Sequence, residues 1–249
     1  WGTVRPPVAH LAFWHRDAPV SLALADARHK RITAYRTGYS SGLLVELGEF
    51  GAPDMPLDLS LTLIITLEGP DEDLVCEILA REGTSSVSEL RWPGPFAAAS
   101  FDLTVLPYMQ GVLIPKEWPE KVWLYDTLSF GRGLYMPWWG HQQGAAAVLV
   151  QLETPDDAGC AFDHPPGGPT QIGPRWVHSL RSWSYPRRAR YSFLDSGDYV
   201  DLAKCYRRHA LASGRFVSLR EKIARNSKVG QLIGTPVIHT SIQIGRAHV

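Results

Sequence analysis

Leu57-Asp58-Leu59-Ser60-Leu61-Thr62-Leu63-Ile64-Ile65-Thr66-Leu67 places Leu or Ile at every odd position, with Asp58, Ser60, Thr62, Ile64 and Thr66 between them. Side chains alternate across a strand, so this period predicts a half-buried β-strand whose odd positions face a core. Shorter segments of the same kind recur at 21–25, 43–47, 74–79, 87–91, 102–106, 148–151, 176–180 and 191–194, separated by Gly, Pro, Asp and Ser. Many spaced strands predict a mainly β chain, a large antiparallel β-sandwich over residues 1–194.

The period changes after Leu194. Ser196 or Asp195 is placed to cap a helix over about 197–213, in which Tyr199, Leu202, Ala203, Tyr206 and Ala210 form an apolar stripe that Gly214 ends. Ser218 followed by Glu221 is a capping box for a second, shorter helix, and Leu232 and Ile233 suggest a further packed turn. Residues 195–234 thus read as a helical layer. Gly234-Thr235-Pro236 breaks it, and Val237-Ile238-His239-Thr240 reads as a strand opening an α/β unit over 235–243. Residues 244–249 resemble a translated sequencing adapter and are excluded from the fold, and the start at Trp1, in mid-pattern, makes the chain read as a fragment.

Lys plus Arg and Asp plus Glu number 25 each, so no net field draws the chain to nucleic acid or an anionic membrane. No apolar run approaches the roughly 20 residues of a membrane-spanning helix. Nine Trp, nine Tyr and eight Phe among 22 Gly and 19 Pro suit a strand-and-loop protein with aromatic surfaces, on which the C–H faces of a carbohydrate stack. Cys76, Cys160 and Cys205 match no metal or disulfide spacing and read as buried thiols. No phosphate loop, nucleophile elbow or histidine metal spacing is present, so neither cofactor nor metal is implied.

The candidate site lies between Tyr135 and Ala158. Trp138-Trp139-Gly140-His141 and Glu153-Thr154-Pro155-Asp156-Asp157 flank an apolar strand over 145–152, which places the two groups at its two ends. Trp138 and Trp139 are a sugar-stacking platform or a contact with another domain, or else they fill the core. If the platform reading holds, at least one ring is exposed. His141, just past a turn at Gly140, is a hydrogen-bond donor to a substrate hydroxyl or a plain loop residue. Glu153, Asp156 and Asp157 raise a catalytic pair or a calcium site, but three carboxylates are too few for calcium's about six to eight oxygens. A turn built on Asp156, with Glu153 bound to an amide or an arginine, is the simpler reading. Arg187-Arg188-Ala189-Arg190 is read as a solvated face or as salt bridges to the acidic loop 68–73.

Leu90-Arg91-Trp92-Pro93-Gly94-Pro95-Phe96, the 106–115 stretch from Leu106-Pro107-Tyr108 to Ile114-Pro115, the Tyr135 and Glu153 motifs, and Gly197-Asp198-Tyr199-Val200 through Leu219-Arg220-Glu221-Lys222-Ile223 occur in consistent order. Together they resemble the N-terminal sandwich region of bacterial glycoside hydrolase-like proteins related to the endo-α-N-acetylgalactosaminidases. That resemblance implies a galactose-mutarotase-like sandwich, a helical linker, and a (β/α)8 barrel starting near Pro236 that carries the catalytic carboxylates at its strand ends. Catalytic residues are then expected outside this chain, which would be inactive alone, with carbohydrate and the missing C-terminal barrel as partners. A free-standing carbohydrate-binding or structural module is the rival reading. A third makes the sandwich an aldose-epimerase-like enzyme with a histidine and a glutamate as acid and base.

Overall fold

The computed structural model describes residues 10–15, 18–53, 55–83, 86–96, 100–124, 134–178 and 182–236. The strands are β1 (His10–His15), β2 (Ala18–Ala23), β3 (His29–Arg36), β4 (Ser40–Gly48), β5 (Gly51–Ala52), β6 (Met55–Pro56), β7 (Leu59–Glu68), β8 (Asp73–Glu82), β9 (Ser86–Arg91), β10 (Leu103–Leu106), β11 (Val112–Pro115), β12 (Trp138–Gln143), β13 (Ala146–Leu152), β14 (Ala158–Asp163), β15 (Gln171–Val177) and β16 (Arg187–Leu194). Two α-helices follow, α1 (Tyr199–Ala212) and α2 (Leu219–Arg225). A nine-stranded sheet runs β11-β10-β12-β13-β16-β8-β7-β4-β3, and a five-stranded sheet runs β14-β15-β9-β1-β2, with every pairing antiparallel. The fold is a mainly β sandwich.

The core lies between the sheets. Leu59, Leu61 and Leu63 of β7, Ile78 and Ala80 of β8, Trp139, Val150, Leu152, Ala189 and Tyr191 join Val87, Leu90, Cys160, Ile172 and Trp176 of the smaller sheet in one apolar cluster. The odd positions of β7 therefore face inward as the alternation predicts, with one departure at the strand's end. Leu67 is 44% exposed while Thr66 is buried. Thr66 points to the opposite face, where its hydroxyl donates to Glu68, itself clamped by Arg188 and Arg190. Cys76, Cys160 and Cys205 are free, buried thiols.

Strands β1, β3, β5, β6, β11, β12 and β14 lie outside the segments the sequence pattern marked. β3 sits at the edge of the large sheet with most of its residues exposed, Ile32 at 65% among them, so no buried face imprints alternation on it.

α1 begins two residues later than the period suggests. Asp198, not Ser196 or Asp195, caps it: its Oδ1 accepts from the amides of Val200 (2.8 Å) and Asp201 (3.1 Å). Its buried residues are Leu202 and Cys205, with Tyr206 half-buried beside them, while Tyr199 and Ala203 are exposed. Gly214 follows with φ +69°, the left-handed conformation that ends helices. The capping box of α2 is present, with Ser218 Oγ accepting from Glu221 N and Glu221 Oε2 accepting from Ser218 N at 2.7 Å. A 3₁₀ turn over Ser227–Leu232 follows. The chain divides into two compact units, Trp1–Tyr206 and Arg207–Val249, at a point within α1. The strand predicted at 237–240, and with it most of 235–243 and all of 244–249, lies outside the described residues.

Candidate functional site

Trp138-Trp139-Gly140-His141 does not sit in a loop at the end of β13. It is itself β12, paired with β13 in register Trp138↔Gln151 to Gln143↔Ala146, through a turn at Gly144 whose φ is +55°. Because side chains alternate, Trp138 and Gly140 face α1 while Trp139 and His141 face the sandwich core. Trp138 stacks on Tyr206 at a centroid distance of 5.8 Å and packs with Val105, Leu149, Leu202 and Cys205. Gly140 is no turn. A Cβ there would lie 2.5 Å from Leu202 Cδ1 and 3.2 Å from the Val148 carbonyl, so glycine lets α1 lie close on the sheet.

The expected exposure fails. Trp138 is 4% exposed and Trp139 and His141 are 1% exposed, because one face of β12 is covered by α1 and the other by the core. Neither ring presents a stacking face, and the exposed aromatic of the motif is Tyr135. His141 is a core residue rather than a loop residue. Its Nδ1 pairs with Thr104 Oγ1 at 3.1 Å, Phe101 stacks on it at 4.4 Å, and Phe96 meets it edge-on. Burial pushes its pKa down to about 4, so the imidazole is neutral at pH 7. These partners include no carboxylate, as an epimerase-like acid–base pair would require.

The acidic cluster splits between two environments. Glu153 binds Arg188 and Arg190 Nε (2.6 Å) on the outer face of the large sheet, where these arginines also meet Glu68, Glu77 and Asp73. Burial alone would raise the Glu153 carboxyl, but the Arg190 and Arg188 guanidiniums outweigh it and hold it below its ordinary value. The salt-bridge reading is thereby met for Arg188 and Arg190, which reach Glu68 and Asp73, but not for Arg187. Asp157 turns the other way, accepting from Arg187 Nη2 at 3.0 Å and from the Tyr185 hydroxyl at 2.8 Å. Burial, then the Asp157 hydrogen bond, push the Tyr185 phenol up to about 12. Arg187, fully buried, lies over the Tyr185 ring at 3.7 Å and the Trp183 ring at 4.7 Å. Asp156 stays exposed. No group of three or more metal-ligating side chains occurs among the described residues.

Two cavities adjoin motifs noted in the sequence. One of about 300 Å³ brings Tyr135, Met136 and Pro137 against Pro155 and Asp156. The other, about 180 Å³, lies between the 91–95 segment and the Phe162 and Gln171 regions. Nothing in the local sequence pairs Arg91 with Asp163 and Gln171, since the grouping arises from β9, β14 and β15 lying together.

No family model and no curated protein sequence matches the chain. Solved structures do. The ligand-free α-N-acetylgalactosaminidase NagBb from Bifidobacterium bifidum matches over 90% of this chain at 32% identity with a TM-score of 0.77. The same enzyme in complex with Gal-NHAc-DNJ matches over 89% at 32% identity with a TM-score of 0.76, and its GalNAc complex at 30% with a TM-score of 0.76. This chain spans 36% of the length of those structures. The resemblance to glycoside hydrolase-like proteins of the N-acetylgalactosaminidase kind is thus found in three dimensions as well as in motifs.

Proposed function

We propose that this chain is the non-catalytic N-terminal sandwich portion of a glycoside hydrolase acting on glycans, with bond cleavage carried by a (β/α)8 barrel that follows it. The observation that carries this reading is the 32% identity to NagBb over 90% of this chain but only 36% of that enzyme. The chemistry of the described residues agrees with it. Glycoside cleavage uses two carboxyl groups flanking a bond, whereas Glu153 and Asp157 are each committed to arginines on different faces of the large sheet. Trp138 packs against the first turns of α1 through Tyr206 rather than against a ligand, and Trp139 joins the core on the other face.

The test compares this chain with the chain extended through its downstream coding sequence, using an aryl α-N-acetylgalactosaminide as substrate. Hydrolysis by the extended protein and none by this chain is the expected result. Turnover by this chain alone, or an extended protein without further βα units and without activity, would overturn the reading. The second outcome would leave the free-standing carbohydrate-binding module, which the cavity at Arg91, Asp163 and Gln171 favours.

A further inference from the structure

We propose that the cavity between the 91–95 segment and the β14–β15 pair binds a single neutral sugar ring, a subsite on the smaller sheet. This rests on the carbohydrate reading above. Its walls are Arg91, Pro93, Pro95, Phe162, Asp163 and Gln171, around a volume of about 180 Å³. That is below the roughly 300 to 1,000 Å³ of pockets for drug-sized ligands, which limits the occupant to one small ring.

The polar groups converge by register. Asp163 of β14 lies directly opposite Gln171 of β15, so their side chains leave the same face about 4.5 to 5.5 Å apart at Cβ. Both are exposed, and among the described residues neither side chain has a hydrogen-bond partner. Arg91 engages Glu89 through Nε at 2.6 Å, leaving its Nη groups unpartnered among the described residues. The set therefore offers an acceptor-only carboxylate, a donor-acceptor amide and a donor-only guanidinium. Adjacent sugar hydroxyls, each able to donate and accept, complement such a set. One anion and one cation at the rim favour a neutral ligand, and the two prolines supply apolar surface for sugar C–H groups, while the Phe162 side chain packs into the core on the other face of β14.

The walls are held in place before any ligand arrives. Trp176 Nε1 donates to the Trp92 carbonyl at 2.6 Å, fixing the 91–95 segment to β15. At Gly173 a Cβ would stand 3.1 Å from Pro95 N, so glycine admits the close approach of the two backbones. A prearranged site loses little ordering entropy on binding.

The experiment is a titration of this chain with N-acetylgalactosamine, galactose and glycerol, followed by backbone amide shifts. A sugar at this subsite should give saturable shifts at Phe162, Asp163 and Gln171 in the millimolar range, with glycerol producing none. Asp163→Ala with Gln171→Ala should raise Kd about tenfold or more while the remaining spectrum is unchanged, since both side chains are exposed. Absent shifts, equal shifts with glycerol, shifts confined to other regions, or an affinity untouched by the double variant would overturn the proposal. Sugar binding here without hydrolysis by the extended protein would defeat only the hydrolase reading. Hydrolysis without these shifts would defeat only the subsite.

Discussion

Leu61 shows what one inward position contributes. It is 1% exposed in the centre of the core, so Leu61→Ala should cost about 2 to 5 kcal/mol through lost transfer energy and a residual cavity. A urea midpoint near that of the parent chain would contradict this. His141 carries a pH signature. Its folded pKa of about 4 lies below the ordinary 6.5, so as pH falls through 6.5 the unfolded chain takes up a proton that the folded chain refuses. Stability is complete above that value and declines towards pH 4, by about 3 kcal/mol in all on the linkage between pKa and folding. Glu89 and Glu153, held low by arginines, lose their contributions only as pH falls from 4.5 downward. The histidine's effect is therefore isolated above that point. His141→Gln should flatten the dependence of the unfolding midpoint between pH 6.5 and 4.5, and an unchanged slope would assign the acid sensitivity elsewhere.

At the scale of elements, two contacts deserve measurement. α1 rests on β12 and β13 through Leu202 and Cys205 against Trp138, Ala147 and Leu149. Gly140→Ala would drive a methyl group to within 2.5 Å of Leu202 Cδ1 and should cost about 1 to 3 kcal/mol as overpacking. Adding Leu202→Ala removes the clash, so the double variant should lose less than the sum of the two single variants. Strict additivity in thermal unfolding would show that helix and sheet are not coupled at this point. The second contact ties β16 to the 155–157 turn. Arg187 is fully buried against Asp157 at 3.0 Å, and removing one partner strands the other's charge. Asp157→Ala should cost about 3 to 5 kcal/mol, whereas replacing both with apolar residues should restore most of it. A mild effect of the single change would mean that water reaches the guanidinium.

For the whole molecule, the sandwich buries its apolar residues between two sheets, while the second unit leaves Phe216, Leu219, Leu232 and Ile233 exposed at 41%, 49%, 61% and 66%. Apolar side chains left in water promote association. This chain is predicted to bind a hydrophobic dye and to self-associate as concentration rises, and Leu232→Ser with Ile233→Ser should reduce both. Sedimentation showing a monomer at all concentrations, with no dye bound, would count against it. That surface is where a reading of the chain as part of a longer hydrolase makes its physical claim.

Wherever one neighbour dominates a residue's surroundings, local sequence was enough. The alternation of β7 follows from one face meeting the core, and the Ser218–Glu221 box forms because both partners lie within one turn. Arg188 and Arg190 could be matched to the acidic 68–73 loop by charge alone. The candidate site was not legible in this way. Trp138 to His141 lacks strand alternation because α1 covers one face and the core the other, so a buried strand resembled a recognition motif. Asp157 meets Arg187 across 30 residues, and Asp163, Gln171 and Arg91 line one cavity only because β14, β15 and β9 lie side by side. Periodicity records what a strand does to its own side chains. Which strands lie together is decided by non-local backbone pairing and core packing, and these alone determined which polar groups were buried in pairs and which were left facing a cavity.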